Sequence, residues 1–295
     1  MKQEYPHIGL AKICGWFGIT RQAYYQQTTR LEELTIEADL ILKQVRRIRL
    51  GHPMIGVRKL YVLLENFLFE HQIKIGRDAL FDLLSSHNLL IKRRVSFKKT
   101  TNSNHWLKKY PNLILNIEVS RSNEIWVSDI TYWKTSIGYL YISLITDAYS
   151  HMIVGHCVLE TMEAKGPIRA LQKAIKKVKK YKGELIHHSD RGSQYCSASY
   201  VEILKANEIK ISMTESGDPR ENPIAERVNG ILKNEYLFKE QISNLKQAIK
   251  ILNKGVEKYN KQRPHMSISN LTPEYVHTNE SGIQPKKLWK TSKRY

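Results

Sequence analysis

The order of sequence patterns between residues 124 and 231 is the feature that most limits the fold of this chain. Three β-rich runs come first, EIWVSDITYWKT, GYLYISLITDAYS and HMIVGHCVLE, with short turn signals between them. A basic amphipathic helix, a strand that ends in HHSD, a second helix, another strand and a third helix follow. This order predicts an α/β fold in which helices flank a mixed sheet.

Positive charge narrows the choice of partners. The chain has 47 Lys and Arg against 28 Asp and Glu, a formal net charge of +19. Such a surplus favours nucleic acid first, a membrane surface second and mere solubility third. Its three cysteines lie far apart, which argues against a disulfide framework or a cysteine zinc site. Because there is no membrane-length apolar run and no clean signal peptide, we expect a cytoplasmic protein without membrane contact.

Residues 1–35 are predicted to form a helix-turn-helix unit. In LAKICGWFGITRQAYYQ a short apolar helix ends near Gly18, and Thr20 is a suitable N-cap for a second helix. Arg21 and Gln22 lie at the start of that helix and are candidate DNA contacts. Many helical hairpins share this pattern, so an ordinary helix pair is the alternative.

A second helical DNA-binding unit is predicted at residues 36–95, where Gly51, Pro53, Gly56 and Gly76 separate three helical stretches. A generic helical bundle is the alternative, but the basic residues of this unit favour DNA. The candidate DNA contacts are Arg58, Lys59, Arg93 and Arg94.

The rest of the chain divides into three predicted regions. Residues 96–122 are basic and polar with little periodicity, which indicates either a linker that follows DNA phosphates or a hinge. Residues 123–242 contain the α/β pattern. Residues 243–295 are predicted to add a basic helix and a tail.

Three carboxylates are candidates for a common site. Asp129 lies in the first β-rich run, and Asp190 ends the fourth strand in LIHHSDRGSQY. Glu226 lies in a helix for which Asn222 can be the N-cap and Pro223 the first residue. Taken singly, each is equally explained as a turn, cap or solvated helix residue. Together, they would suit two Mg²⁺ or Mn²⁺ ions, because these hard cations prefer oxygen ligands.

The spacing of the acidic residues and the order of several sequence blocks resemble those of a known protein family. Between Asp190 and Glu226 lie 35 residues, and Lys233 follows seven residues after Glu226. This arrangement resembles the DDE transposase and integrase superfamily, and the βββαβαβα order is that of its ribonuclease-H-like fold. The blocks WVSDITY, HHSDRGSQY, SMTESGDPRENPIAERVNGILKNE and YNKQRPHMSISNLTPEY resemble bacterial transposases of the insertion-sequence "three" family, in particular their second-reading-frame product.

The resemblance implies roles for these residues. Asp129, Asp190 and Glu226 would be a metal-binding catalytic triad with two ions, and Lys233 would contact DNA. The implied reaction is metal-dependent nicking at the terminal inverted repeats of a mobile element, followed by attack of the freed 3′-hydroxyl on another phosphodiester. The resemblance also implies a copy-out route in which one end attacks the other and a circular intermediate follows. Implied partners are duplex DNA, further copies of the chain in a synaptic complex, and the upstream-frame product of the same element. Binding to DNA would associate the protein with the bacterial nucleoid.

Several questions stay open at this point. A DNA-binding regulator with an inactive ribonuclease-H-like domain is the alternative function. Asp147, in ITDAYS, is either a fourth site carboxylate or a turn residue. Because neighbouring strand residues point to opposite faces, at most one of His187 and His188 can face the site.

Overall fold

The computed structural model describes residues 7–91, 105–115, 117–178, 183–215, 221–237 and 241–279. Four helices come first: α1 (Leu10–Trp16), α2 (Arg21–Gly51), α3 (Val57–Glu70) and α4 (Arg77–Ser86). Gly18 has a φ of +66° between α1 and α2. Thr20 then caps α2, since its hydroxyl oxygen accepts a 3.1 Å hydrogen bond from the backbone N–H of Ala23.

One long helix connects the two predicted N-terminal units. The expected boundary between residues 35 and 36 falls inside α2, which is continuous over 31 residues. Only the second half of α2 is buried: Ile41 and Val45 pack against Leu60 and Leu64 of α3 and against α4. The units at 1–35 and 36–95 therefore share a helix, because the helix-forming residues around position 35 contain no breaker.

A five-stranded mixed sheet forms the centre of the α/β core, as predicted. Its strands are β1 (Ile125–Thr135), β2 (Gly138–Asp147), β3 (Ile153–Leu159), β4 (Ile186–Ser189) and β5 (Lys210–Met213), in the order β3-β2-β1-β4-β5. The first three strands pair antiparallel, whereas β4 runs parallel to both β1 and β5. This is the topology of the ribonuclease-H-like fold.

Helices cover both faces of this sheet. On one face, α5 (Lys165–Lys177), the short α6 (Ser193–Cys196) and α7 (Ala198–Ala206) pack against Trp126 and Ile145. On the other face, α8 (Pro223–Ile231), a π-helical segment (Leu232–Leu237) and α9 (Leu245–Gln262) pack against Val127 and Leu144. A further helix, α10 (Pro273–Asn279), follows a 3₁₀ turn.

Two predicted boundaries need correction. Within the expected linker 96–122, Ile114 is buried in the core and the backbone N–H of Leu113 donates to Ser212 Oγ at 2.9 Å. On the C-terminal side, α9 buries Leu252 and Val256 in the same core, so residues 243–262 are not an appendage. Both segments contain apolar side chains that pack in the core beside the sheet. Burial of these side chains fixes the position of each segment.

The helical unit and the α/β core also touch. His52 Nδ1 and the Tyr236 hydroxyl are 2.9 Å apart, and Lys258 Nζ donates to the carbonyl oxygen of Gly51 at 3.0 Å. These contacts join the turn before α3 to the π-helical segment and to α9. Among the helices in the described ranges, none has the length and apolarity needed to cross a membrane.

Candidate active site

Two adjacent parallel strands bring Asp129 and Asp190 together. Ser128 of β1 pairs with Ser189 of β4, so each aspartate is the next residue after a paired position. Because side chains alternate along a strand, Asp129 projects to the same face as Val127, the face that α8 covers. The carboxylate of Asp190 is held at the strand end, where Oδ1 accepts a 3.0 Å hydrogen bond from the backbone N–H of Gly192.

Glu226 approaches from α8, in the first turn of that helix. Pro223 occupies the start of the helix, as predicted. Asn222 begins the helix but does not cap it through its side chain. Instead, Asn222 Nδ2 donates to the carbonyl oxygen of Ser128 at 2.9 Å. Asn222 therefore occupies the predicted N-cap position, while its side chain ties α8 to the strand that carries Asp129.

The pKa of Asp129 is affected by the other two candidate carboxylates, Asp190 and Glu226. Burial raises the pKa of Asp129 to about 7, and the charges of Asp190 and, more weakly, Glu226 raise it too. Hydrogen bonds from Asn229 and from the backbone N–H of Ile130 act in the opposite direction. A cation placed among these carboxylates would remove the repulsion that raises this pKa.

The oxygen atoms of this site are suitable ligands for a hard cation, although the carboxylates are not yet close enough together to bind one. In the described part of the chain, no three His, Cys, Asp or Glu side chains are close enough to hold a metal ion as they stand. The site offers only oxygen donors, which Mg²⁺ and Mn²⁺ prefer. The side-chain oxygens Asn222 Oδ1 and Asn229 Oδ1 are buried, and neither has a hydrogen-bond partner among the residues that the structure describes. A metal with its water shell would therefore find acceptors beside the carboxylates.

Lys233 lies at the rim of this site. It belongs to the π-helical segment, and its Nζ donates to Thr131 Oγ1 at 3.1 Å and lies 4.2 Å from the ring centroid of Tyr132. Burial lowers the pKa of Lys233, while the nearby Asp129 raises it. Segments of π-helix often occur at functional sites, and this one directs Lys233 toward β1.

Asn229 is the site residue that the sequence reasoning missed. Its Nδ2 donates a 2.7 Å hydrogen bond to Asp129 Oδ2, and the side chain is buried. The available signal was its position three residues after Glu226, which puts both side chains on neighbouring positions of one helix face. The partner on β1, 100 residues earlier, was not visible in the sequence.

Asp147 lies outside the site. It pairs with Trp126 across the sheet, three positions from Asp129 along β1, and its carboxylate accepts hydrogen bonds from Asn123 N at 2.7 Å and Ser150 Oγ at 2.6 Å. Although burial opposes the shift, His277 and these hydrogen bonds lower its pKa. Asp147 therefore fixes the β2–β3 turn and α10, and the turn interpretation applies.

The two histidines of HHSD are packing residues. His187 Nε2 lies 2.9 Å from the Tyr200 hydroxyl on one face, and His188 Nδ1 lies 2.9 Å from Ser212 Oγ on the other. Burial lowers the pKa of His187 to about 3 and that of His188 to about 4, so both are neutral at pH 7.

The predicted DNA contacts have different environments. Arg21 and Gln22 are exposed in the first turn of α2, and Arg58 is exposed in the first turn of α3. Lys59 is half-buried, and its pKa is lowered by burial and by Arg263, partly offset by Glu235. Lys59 therefore faces the α/β core. Arg93 and Arg94 lie outside the described residues.

The chain is similar to integrase core domains and to proteins of bacterial insertion sequences. Two models of the integrase core domain match residues 119–219 and 207–273. The Shigella sonnei "Insertion element IS600 uncharacterized 31 kDa protein" is 36% identical over 265 residues, which cover 88% of this chain and 96% of the relative. The Shigella sonnei transposase for insertion sequence element IS629 is 27% identical over 270 residues, with coverages of 89% and 88%. Among solved structures, the HTLV-2 integrase catalytic core in complex with magnesium matches 53% of this chain and 97% of that chain, at 22% identity and a TM-score of 0.44.

Proposed function

Because the chain belongs to the bacterial DDE transposases of the insertion-sequence "three" family, we propose that it nicks the ends of its element and joins them to a second DNA site by metal-dependent phosphoryl transfer. The relative that is 36% identical over 88% of this chain and the matching integrase core models confirm the family resemblance that the sequence blocks predicted. DNA transposition is the function of this family, and the proposal assigns the chemistry to particular residues.

Asp129, Asp190 and Glu226 would hold the metal. Two Mg²⁺ or Mn²⁺ ions would activate the attacking oxygen and stabilise the leaving oxygen of an in-line displacement at phosphorus. The protein contributes geometry: β1 and β4 present two carboxylates from adjacent parallel strands, and the first turn of α8 presents the third. In nicking, a water oxygen bonds to phosphorus and the 3′-oxygen leaves as a hydroxyl. In joining, the oxygen of that 3′-hydroxyl bonds to the phosphorus of another phosphodiester, whose own 3′-oxygen leaves and takes up the proton.

The placement of Asp129, Asp190 and Glu226 on β1, at the end of β4 and in the first turn of α8 carries this proposal. Burial and the charges of Asp190 and Glu226 raise the pKa of Asp129, so its ionised form is unfavourable unless a cation lies nearby, and the three carboxylates lie on a chain of net charge +19. Lys233, at the rim, would contact a DNA phosphate near the scissile bond. Its cation–π contact with Tyr132 keeps the ammonium group at this position.

The remaining partners follow from the charge and the reaction. The helical units would bind the terminal inverted repeats, with Arg21, Gln22, Arg58 and, outside the described residues, Arg93 and Arg94 as contacts. Lys59 would contact DNA only if the second helical unit moved away from the α/β core, because its side chain faces that core. Two ends must be joined, so further copies of the chain would form a synaptic complex, to which the upstream-frame product of the element could add. The proposed place of action is the bacterial cytoplasm, at the nucleoid.

The test is end cleavage and strand transfer on a labelled duplex that carries the element's terminus, with Mg²⁺ or with chelator. Asp190→Asn should abolish both steps and leave duplex binding within about twofold, because one amide replaces one metal ligand. Asp82→Asn, an exposed change on α4, is the matched control and should behave as wild type.

Two results would contradict the proposal. Full activity in Asp190→Asn would remove that carboxylate from the mechanism. Tight, specific binding by the wild type without metal-dependent cleavage, also after addition of the upstream-frame product, would favour a DNA-binding regulator.

A further inference from the structure

A basic groove runs along the open edge of the sheet, at strand β3. Helix α5 lies on one side of this strand and α9 on the other, and the groove between them has a volume of about 270 Å³. We call it the edge groove. It is lined by His156, Cys157, Val158, Arg169, Gln172, Lys173, Lys176, Ile249, Leu252 and Asn253.

The lining has three cations and, among the described residues, no acid. Arg169, Lys173 and Lys176 are all exposed on α5. Beside the groove, burial and the charge of Lys173 lower the pKa of Lys177, while Glu274 of α10 acts in the opposite direction. At the floor, His156 Nε2 lies 2.8 Å from Asn253 Oδ1, and burial lowers the pKa of His156 to about 4. His156 is therefore neutral, and its Nδ1 is buried without a partner among the described residues.

Cations also recur every four residues on both helices that form the groove. The α5 series is Lys165, Arg169, Lys173 and Lys177, and the α9 series is Lys246, Lys250 and Lys254. Like charges four residues apart repel on a helix surface, so two such rows destabilise the helices that carry them. Of these seven cations, Arg169 and Lys173 line the edge groove, and a polyanion bound there would reduce the repulsion within the α5 series.

The edge groove is separate from the carboxylate site. Strand β3 is two strands away from β1, on the side opposite to β4. The groove opens beyond β3, whereas Asp129, Asp190 and Glu226 converge where β1, β4 and α8 meet.

We propose that the edge groove binds the phosphate backbone of a second DNA segment, distinct from the segment at the carboxylates. This inference rests on the proposed function, in which two DNA segments meet on the protein. Lys173 and Lys176 contact phosphates directly, and Arg169 adds a bidentate donor. The contacts involve only the backbone, so the groove does not select a base sequence.

The experiment is a two-step binding measurement. The full chain is first saturated with an unlabelled element-end duplex, and a second, labelled duplex of unrelated sequence is then titrated by fluorescence anisotropy at several salt concentrations. Lys173→Glu and Lys176→Glu should each weaken the second binding step by about tenfold and lower its salt slope by about 1. The first binding step should not change.

Lys205→Glu on α7 is the matched control, since it makes the same charge change at an exposed lysine that does not line the groove. Equal losses for Lys205→Glu and Lys173→Glu would mean a general charge effect and would overturn the proposal. An unchanged second binding step in both groove variants would also overturn the proposal. Self-association of these variants would overturn it too, because the cations would then serve only to keep the exposed edge of β3 from pairing with another chain. The measurement needs no cleavage, so it remains decisive if the proposed catalysis fails.

Discussion

The side-chain amide of Asn229 donates a 2.7 Å hydrogen bond to Oδ2 of Asp129 across the interface between α8 and β1. The other oxygen of Asp129 accepts from the backbone N–H of Ile130 at 2.8 Å. Both carboxylate oxygens are therefore oriented by the protein. The helix that carries Glu226 thus also orients the carboxylate on β1, and partners of this kind tune metal sites.

Replacement of Asn229 by Ala should weaken metal binding. The variant leaves Asp129 with one fixed oxygen, so we expect an increase of about 10- to 100-fold in the Mg²⁺ concentration needed for half-maximal cleavage. Direct Mn²⁺ binding, followed by calorimetry, should weaken in parallel. Asn207→Ala, at the end of α7, should change neither quantity. An unaltered metal dependence in Asn229→Ala would show that the hydrogen bond does not matter to the site.

The stability of the metal-free protein should depend on pH through Asp129. Burial, with the charges of Asp190 and Glu226, raises the pKa of Asp129 from 3.8 to about 7 in the folded protein. The folded state therefore binds the proton more tightly, and this contribution to the free energy of unfolding falls as pH rises from about 4 to about 7. Above pH 7 the loss is complete.

Asp129→Asn should remove this pH dependence. In chelator, the melting temperature of the variant should exceed that of the wild type at pH 8 and approach it at pH 5. Added Mg²⁺ should stabilise the wild type more at pH 8 than at pH 5, and the variant little at either pH. Identical melting curves for the two proteins across this range would contradict the assignment.

Removal of one partner of the buried ion pair between Arg263 and Glu235 should destabilise the fold. Arg263 is fully buried, and its Nε and Nη2 each donate to a Glu235 carboxylate oxygen at 2.7 Å. Arg263→Leu leaves Glu235 partly buried and unpaired, so we expect a loss of about 3–5 kcal/mol in urea denaturation. The double variant Arg263→Leu/Glu235→Leu should recover much of this loss. A double variant as unstable as the single one would mean that Arg263 acts through packing alone.

Gly155 should tolerate no side chain. A Cβ at this position of β3 would collide with the carbonyl oxygen of Ala170 in α5. We expect Gly155→Ala to cost about 1–3 kcal/mol, because α5 must move off the sheet. Gly230→Ala in α8 meets no atom within 4 Å and should instead gain about 0.5–1 kcal/mol of stability. Chemical denaturation of both variants tests the contrast, and equal effects would refute the close approach of α5 and β3.

Local sequence patterns were sufficient for much of the fold. The alternation along β1 and β2, the turn at Gly138 and the strand that ends at Ser189 all follow from residues close together in the chain. The hydroxyl of Thr20 caps α2 for the same reason, since an N-cap involves only the next three residues. Where the predictions failed, at residues 35–36, 105–115 and 243–262, the deciding contacts were long-range.

The sequence by itself determined which carboxylates are candidates. The spacing between Asp190 and Glu226 and the sequence blocks around all three acidic residues can be read directly along the chain. Only the tertiary structure decided what surrounds them: that Asn229 orients Asp129, that Asp147 fixes a turn, and that Lys233 rests on Tyr132. The physical reason is that hydrogen bonds, burial and charge repulsion depend on distance in space, and residues 100 positions apart become neighbours only when the sheet and α8 pack together.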